Sequence, residues 1–176
     1  ITQRNSQRIL QSLPEGLRNY ILELLEAHPD EALHIPMVVD TLAAARIQIA
    51  QEEDFRFADG VEEAGTIENA IQHNLQNLKN QVSLTRPIYL VMPLRSITMI
   101  NQRIKALKVL AIGPRTEAEI YTLTACGFDP ANITGVDLIS YSDLIDVGDM
   151  HALPYPDNSF DVIVMGWVLA YTSTPE

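Results

Sequence analysis

The order of patterns along this 176-residue chain predicts an α/β fold, a doubly wound and mainly parallel sheet preceded by an all-helical region. Three observations carry that expectation. Up to Leu107, apolar residues recur at the three- and four-residue spacing of amphipathic helices. At Lys108 the period changes: the apolar run Val109–Ile112 enters Gly113, and a helix-forming segment follows. Beyond it, short β-forming runs alternate with turns built on Gly, Pro and Asp, which is the order of a parallel sheet.

The helical part reads as follows. Ser12-Leu-Pro-Glu15 has the spacing of a capping box, and Pro14 is tolerable in a first turn. Leu17, Tyr20, Ile21, Leu24 and Leu25 then form one apolar face, which Pro29 stops. A second helix is expected from Pro36, with Val38, Leu42, Ala45 and Ile49 on one side. A third, from Thr66, aligns Ile67, Ile71, Leu75, Leu78 and Val82 and ends at Pro87. The proline-bracketed Pro87–Pro93 reads as a linker lying on the core. Ser96 is placed to cap a further helix carrying Ile97, Ile100, Ile104 and Leu107.

In the second part, Thr116–Cys126 is the helix after the first strand, closed by the turn Gly127-Phe-Asp-Pro130. Asn132–Asp137 is a second strand ending on a carboxylate, Leu144–Val147 a short third, and Phe160–Met165 a fourth, apolar enough to be covered on both faces. Between the second and third there are too few residues for a full crossover helix, since a parallel connection ordinarily takes a dozen or more. The third strand is therefore either vestigial or replaced by a loop.

Charge excludes some partners. Net charge is −11, and all 12 Lys and Arg lie at or before Arg115, while the stretch from Thr116 to Glu176 holds ten acids and no base. Such a surface repels phosphate backbones, so no nucleic-acid partner is expected. The acids either form a solvated face or suit a cationic ligand. No apolar stretch approaches the ~18 residues of a membrane span, and no signal-peptide pattern is seen. With Cys126 alone, a reducing, cytoplasmic setting is expected. His28, His34 and His73 lack metal-ligand spacing, so no metal site is expected.

From Lys108 to Thr172 these residues resemble the class I S-adenosylmethionine-dependent methyltransferases. The most specific part is Gly148-Asp-Met-His-Ala-Leu-Pro-Tyr-Pro-Asp-Asn-Ser-Phe-Asp-Val-Ile-Val164, similar to the family's Gly-Asp, Leu-Pro-aromatic turn, Asn-Ser-Phe-Asp and apolar strand. The resemblance implies a Rossmann-like domain over residues 96–176 behind a helical region at 1–95. The family's sheet continues past its fourth strand, so 96–176 is expected to carry the N-terminal part of such a domain.

The resemblance also implies the cofactor, S-adenosylmethionine, and its ligands. The turn Gly113, Pro114, Arg115, Thr116 and Glu117 falls on the loop that cradles the methionine end. Asp137 falls on the acid that takes the ribose hydroxyls, and Asp149 and Met150 fall on the pair beside adenine. Trp167 and Tyr171 fall on the substrate position, as pocket wall or as core, with His151 as a nearby base or a plain loop residue. Three departures stand out: Ala111 replaces an acid, Arg115 and Glu117 replace later glycines, and the second crossover is short. Arg115 either pairs with the cofactor's carboxylate or points to solvent.

The implied activity is methyl transfer to a small molecule or biosynthetic intermediate, by direct in-line displacement. The alternative is a non-catalytic or abbreviated relative acting as a binding or scaffold partner. A nicotinamide-dependent oxidoreductase ranks behind both, because Gly-x-Gly-x-x-Gly is absent. A homodimer through the N-terminal helices or an exposed sheet edge is expected.

Overall fold

The computed structural model describes residues 14–50, 54–59 and 85–169. The capping-box serine, the expected helix from Thr66 to Val82, and Tyr171 lie outside them.

The N-terminal part begins with α1 (Glu15–Ala27), a short α2 (Pro29–Ala32) and α3 (Pro36–Ile49). Pro29 opens α2 and Pro36 opens α3, each supplying no N–H where a helix would leave one unpaired. Val38, Val39, Ala43, Ala45 and Ile47 of α3 are buried. On α1 only Ile21 is buried, while Leu17, Tyr20, Leu22 and Leu25 stay exposed. A two-residue strand, β1 (Arg56–Phe57), interrupts the helices.

Pro87–Pro93 is not a linker. Pro87 sits in the first turn of α4 (Thr85–Val91), where a proline is harmless, and a 3₁₀ turn follows over Met92–Ser96. Ser96 does not cap the next helix: α5 (Thr98–Arg103) begins after Ile97, with no side-chain cap, and a 3₁₀ turn extends it over Ile104–Ala106. Val91 and Leu107 are buried in the main core.

Four parallel strands form the sheet: β2 (Val109–Ile112), β3 (Ile133–Asp137), β5 (Ile145–Val147) and β6 (Val162–Met165). They lie in the order β5-β3-β2-β6. Counted along the chain that is third, second, first, fourth, the opening half of a doubly wound nucleotide-binding sheet, which reverses direction between β2 and β6. The helix α6 (Glu117–Cys126) links β2 to β3. Thr116 caps it by accepting the Ala118 N–H at 3.3 Å, and Gly127, at φ +114, closes it.

Both faces of the central strands are covered. On one, Val109, Ala111, Val162 and Val164 meet Ile120, Leu123, Cys126 and Phe128. On the other, Leu110, Ile112 and Val136 meet Met150, Leu153, Tyr155, Phe160, Met165 and Val168. Here the expectation for the fourth strand holds only in part: Ile163 is 59% exposed, so among the described residues the second face of β6 is covered at Met165 alone.

The short crossover is resolved by register. β5 pairs with the C-terminal half of β3 alone, Gly135 opposite Ile145 and Asp137 opposite Val147. The chain therefore has to return only about 7 Å, two residues of strand, before pairing begins. No helix is needed, and the third strand forms. Within the connection β4 (Ile139–Ser140) pairs antiparallel with β1, and Ile47, Ala50 and Phe55 pack against Tyr141. The N-terminal region thus covers the ground a crossover helix would occupy.

Candidate functional site

In open α/β sheets, ligands bind outside the carboxyl ends of the strands where the order reverses. Here that place lies beyond β2 and β6, where the Gly113 turn meets Asp137 of β3 and Val168 of the segment leaving β6.

Gly113 extends the ladder, its N–H donating to Val136 O at 2.8 Å. Its φ of +67 is open to glycine, and an added Cβ would collide with the Val168 side chain from the segment after β6. Two residues on, Arg115 adopts φ +59, a left-handed conformation that is rare for a residue with a Cβ. Its side chain is exposed. Thr116 donates its N–H to Pro114 O at 2.6 Å, which tightens the turn.

Asp137 closes β3 beside this turn. Its Oδ2 accepts the Arg115 N–H at 3.1 Å and its Oδ1 the Ile139 N–H at 3.4 Å. Burial pushes the carboxyl above the usual range, and the amides of Arg115, Ile139 and Leu138 pull against that rise. The glycine turn and the strand-end acid are thus joined directly, by a hydrogen bond from the Arg115 backbone amide to the Asp137 carboxylate.

Glu117 stands apart from the other loop residues. It is 0% exposed, and its carboxylate meets four donor groups, from its own helix and from two other parts of the fold. Arg46 of α3 donates from Nε to Oε2 at 2.9 Å and to Oε1 at 3.2 Å, and from Nη2 to Oε1 at 2.9 Å. Tyr121 donates to Oε2 at 2.8 Å and Ser142 to Oε1 at 2.6 Å. Burial alone would raise its pKa, but these bonds outweigh it and hold Glu117 below the ordinary carboxylate range. Its own N–H donates to Tyr141 Oη at 3.1 Å. With about four acceptor positions on a carboxylate, this one is fully employed within the fold, facing Arg46 rather than Arg115. Nothing in the local sequence around Glu117 signals Arg46, Tyr141 or Ser142.

Asp149 and Met150 follow β5. Asp149 Oδ1 accepts the His151 N–H at 2.9 Å and meets His151 Nδ1 at 2.7 Å. The His151 amide is the main cause of its lowered pKa. The residue therefore caps its own turn, with an exposed carboxylate and imidazole held together. Met150 packs half-buried beside Leu110, Ile112 and Val136. Trp167, with φ +57, is 59% exposed on the segment leaving β6. The described residues contain no cluster of three or more His, Cys, Asp and Glu able to hold a metal, and no helix long and apolar enough to cross a membrane.

These residues fit a nucleoside-bearing ligand. The turn is stripped of a Cβ at Gly113, and an acceptor-only group lies at the end of the next strand. The bonds already on that acid are longer than the ~2.9 Å usual for N–H donors, so stronger hydroxyl donors can share it. A model of a methyltransferase domain matches residues 110–176, a segment that includes the glycine turn, Asp137 and the Asp149–Met150 pair. No curated protein and no solved structure matches the chain. Members of the matched family typically use S-adenosylmethionine. Strand order, glycine turn and family match agree: residues 110–176 match a methyltransferase-domain model and carry the parallel sheet of a Rossmann-like fold.

Proposed function

We propose that this domain binds S-adenosylmethionine at the carboxyl ends of β2 and β3 and transfers its methyl group to a small molecule or biosynthetic intermediate. The observation that carries the reading is the junction of the Gly113 turn with Asp137 through the Arg115 amide. When bound, the cofactor supplies an activated methyl on a sulfonium, so the protein's task is placement and alignment for direct in-line transfer. Asp137 would accept from the ribose hydroxyls. Gly113 allows close approach of the backbone, and the exposed Arg115 guanidinium would pair with the amino-acid carboxylate. Asp149, with Oδ1 already engaged by His151, would take the adenine amine on Oδ2, with Met150 beside the ring.

Titration calorimetry with S-adenosylmethionine and S-adenosylhomocysteine tests the reading. We expect saturable binding, and a loss of about tenfold or more with Asp137→Asn, since a hydrogen bond to a charged group contributes about 1.5–3 kcal/mol. The folded protein should change little in stability with that substitution. Relief of a buried charge offsets the donor-to-donor contact that an amide creates with one of the two N–H groups. A folded wild type giving no heat and no thermal shift at millimolar ligand would overturn the enzyme reading and leave a non-catalytic relative.

A further inference from the structure

We propose that the N-terminal region is a working part of the cofactor site: Arg46 of α3 is a positioning residue that clamps the Gly113–Glu117 turn through the Glu117 carboxylate. The inference deepens the reading above and rests on it for its binding consequence, though not for its geometry. Arg46 holds both oxygens of a carboxylate that is 0% exposed, in a forked geometry that lysine cannot copy. Glu117 is the first residue of α6 and lies two residues after Arg115, whose amide meets Asp137. Its own amide is held by Tyr141, and its carboxylate by Ser142, both in the connection that replaces the crossover helix. Arg56 of β1 donates to Ser142 O at 2.6 Å and so fixes the same connection from the N-terminal side.

Every backbone amide from Arg115 to Glu117 thus has a partner within the turn or one step from it. The arrangement also offsets two weaknesses of this site. A left-handed arginine is less pliant than glycine, and a short connection offers no helix to lean on. The missing support comes from α3, 71 residues before Glu117, and from β1, 86 residues before Ser142.

The test uses the full chain in three variants. In Arg46→Gln, hydrogen exchange of the Arg115, Thr116 and Glu117 amides in the ligand-free protein should accelerate at least about tenfold. Affinity for S-adenosylhomocysteine should fall as well, in proportion to the fraction of molecules whose turn is no longer competent to bind. Ile21→Ala, buried in a cluster with Ala32 and Val38 away from the turn, serves as a control for plain destabilisation and should alter neither. Tyr141→Phe keeps the packing on Phe55 and removes only the acceptor of the Glu117 amide. It should accelerate exchange at that amide even if Arg46→Gln fails to fold. Unchanged exchange in both substituted turns, or equal acceleration in Ile21→Ala, overturns the clamp whatever the wild type binds. Accelerated exchange in a protein whose wild type binds no S-adenosylhomocysteine supports the clamp and overturns the cofactor reading.

Discussion

At the scale of single residues, Arg115 isolates backbone from side-chain contributions. A left-handed conformation costs a residue with a Cβ about 1–2 kcal/mol, and glycine removes that cost. Glycine also loses about 0.4–1 kcal/mol through the greater freedom of its unfolded chain. Arg115→Gly should therefore match the wild type or exceed it by up to about 1 kcal/mol in a denaturant titration, with the turn conserved. If the guanidinium holds the ligand's carboxylate, affinity for S-adenosylhomocysteine should nevertheless drop by about tenfold or more. Equal affinity in the glycine variant would mean that the arginine contributes shape alone. Alanine is the poorer probe, since it keeps the strain while losing the charge.

At the scale of elements, the β3–β5 connection carries more polar order than its length suggests. Ser140 Oγ reaches Ile145 O at 2.6 Å and Ser142 O at 2.8 Å, and accepts the Ser142 N–H at 3.1 Å. Ser140 is buried, so Ser140→Ala leaves those groups short of partners and should cost about 1–3 kcal/mol in chemical denaturation. A change under half of that would place the stability of β5 in packing on Gly135 instead. The elements that could be read in advance are those with local causes. Val109–Ile112 is apolar without interruption, Thr116 caps α6, and Gly127 ends it in a conformation that favours glycine. The strand-end acid Asp137 was legible for the same reason. What escaped has non-local causes. Pro87 ends one helix or starts another equally well, and only the packing of Val91 decides it. The length rule for parallel crossovers cast doubt on β5 because it presumes full-length strands, and this one pairs with half of β3. Glu117 looked like a loop ligand because its partner Arg46 belongs to a different helix, with no spacing to announce it.

At the scale of the whole molecule, the two halves divided by charge pattern are joined by it. The acidic stretch after Arg115 contains no Lys or Arg of its own, and bases in the first half reach into it. Arg46 meets Glu117, and Arg56 meets Ser142 O and lies 3.8 Å from Asp143. Apolar contacts cross the same boundary, with Val39 and Ala43 against Ala118, and Ile47, Ala50 and Phe55 against Tyr141. A buried carboxylate stripped of its cation typically costs about 3–5 kcal/mol. Shedding the N-terminal helices would therefore cost the sheet several kcal/mol. Unfolding should accordingly be one cooperative event. The chain has a single tryptophan, Trp167, placed beyond β6, and much of its helix lies in the N-terminal part. Fluorescence then reports the sheet's carboxyl end, and far-ultraviolet dichroism weights the helices. On heating, the two signals should give coincident midpoints, within about 2 °C, as two-state unfolding requires. Loss of helix signal well below the fluorescence transition would instead mean that the first half is an appended unit. In Arg46→Gln the midpoints should move apart, because the tie that makes the halves unfold together has been cut.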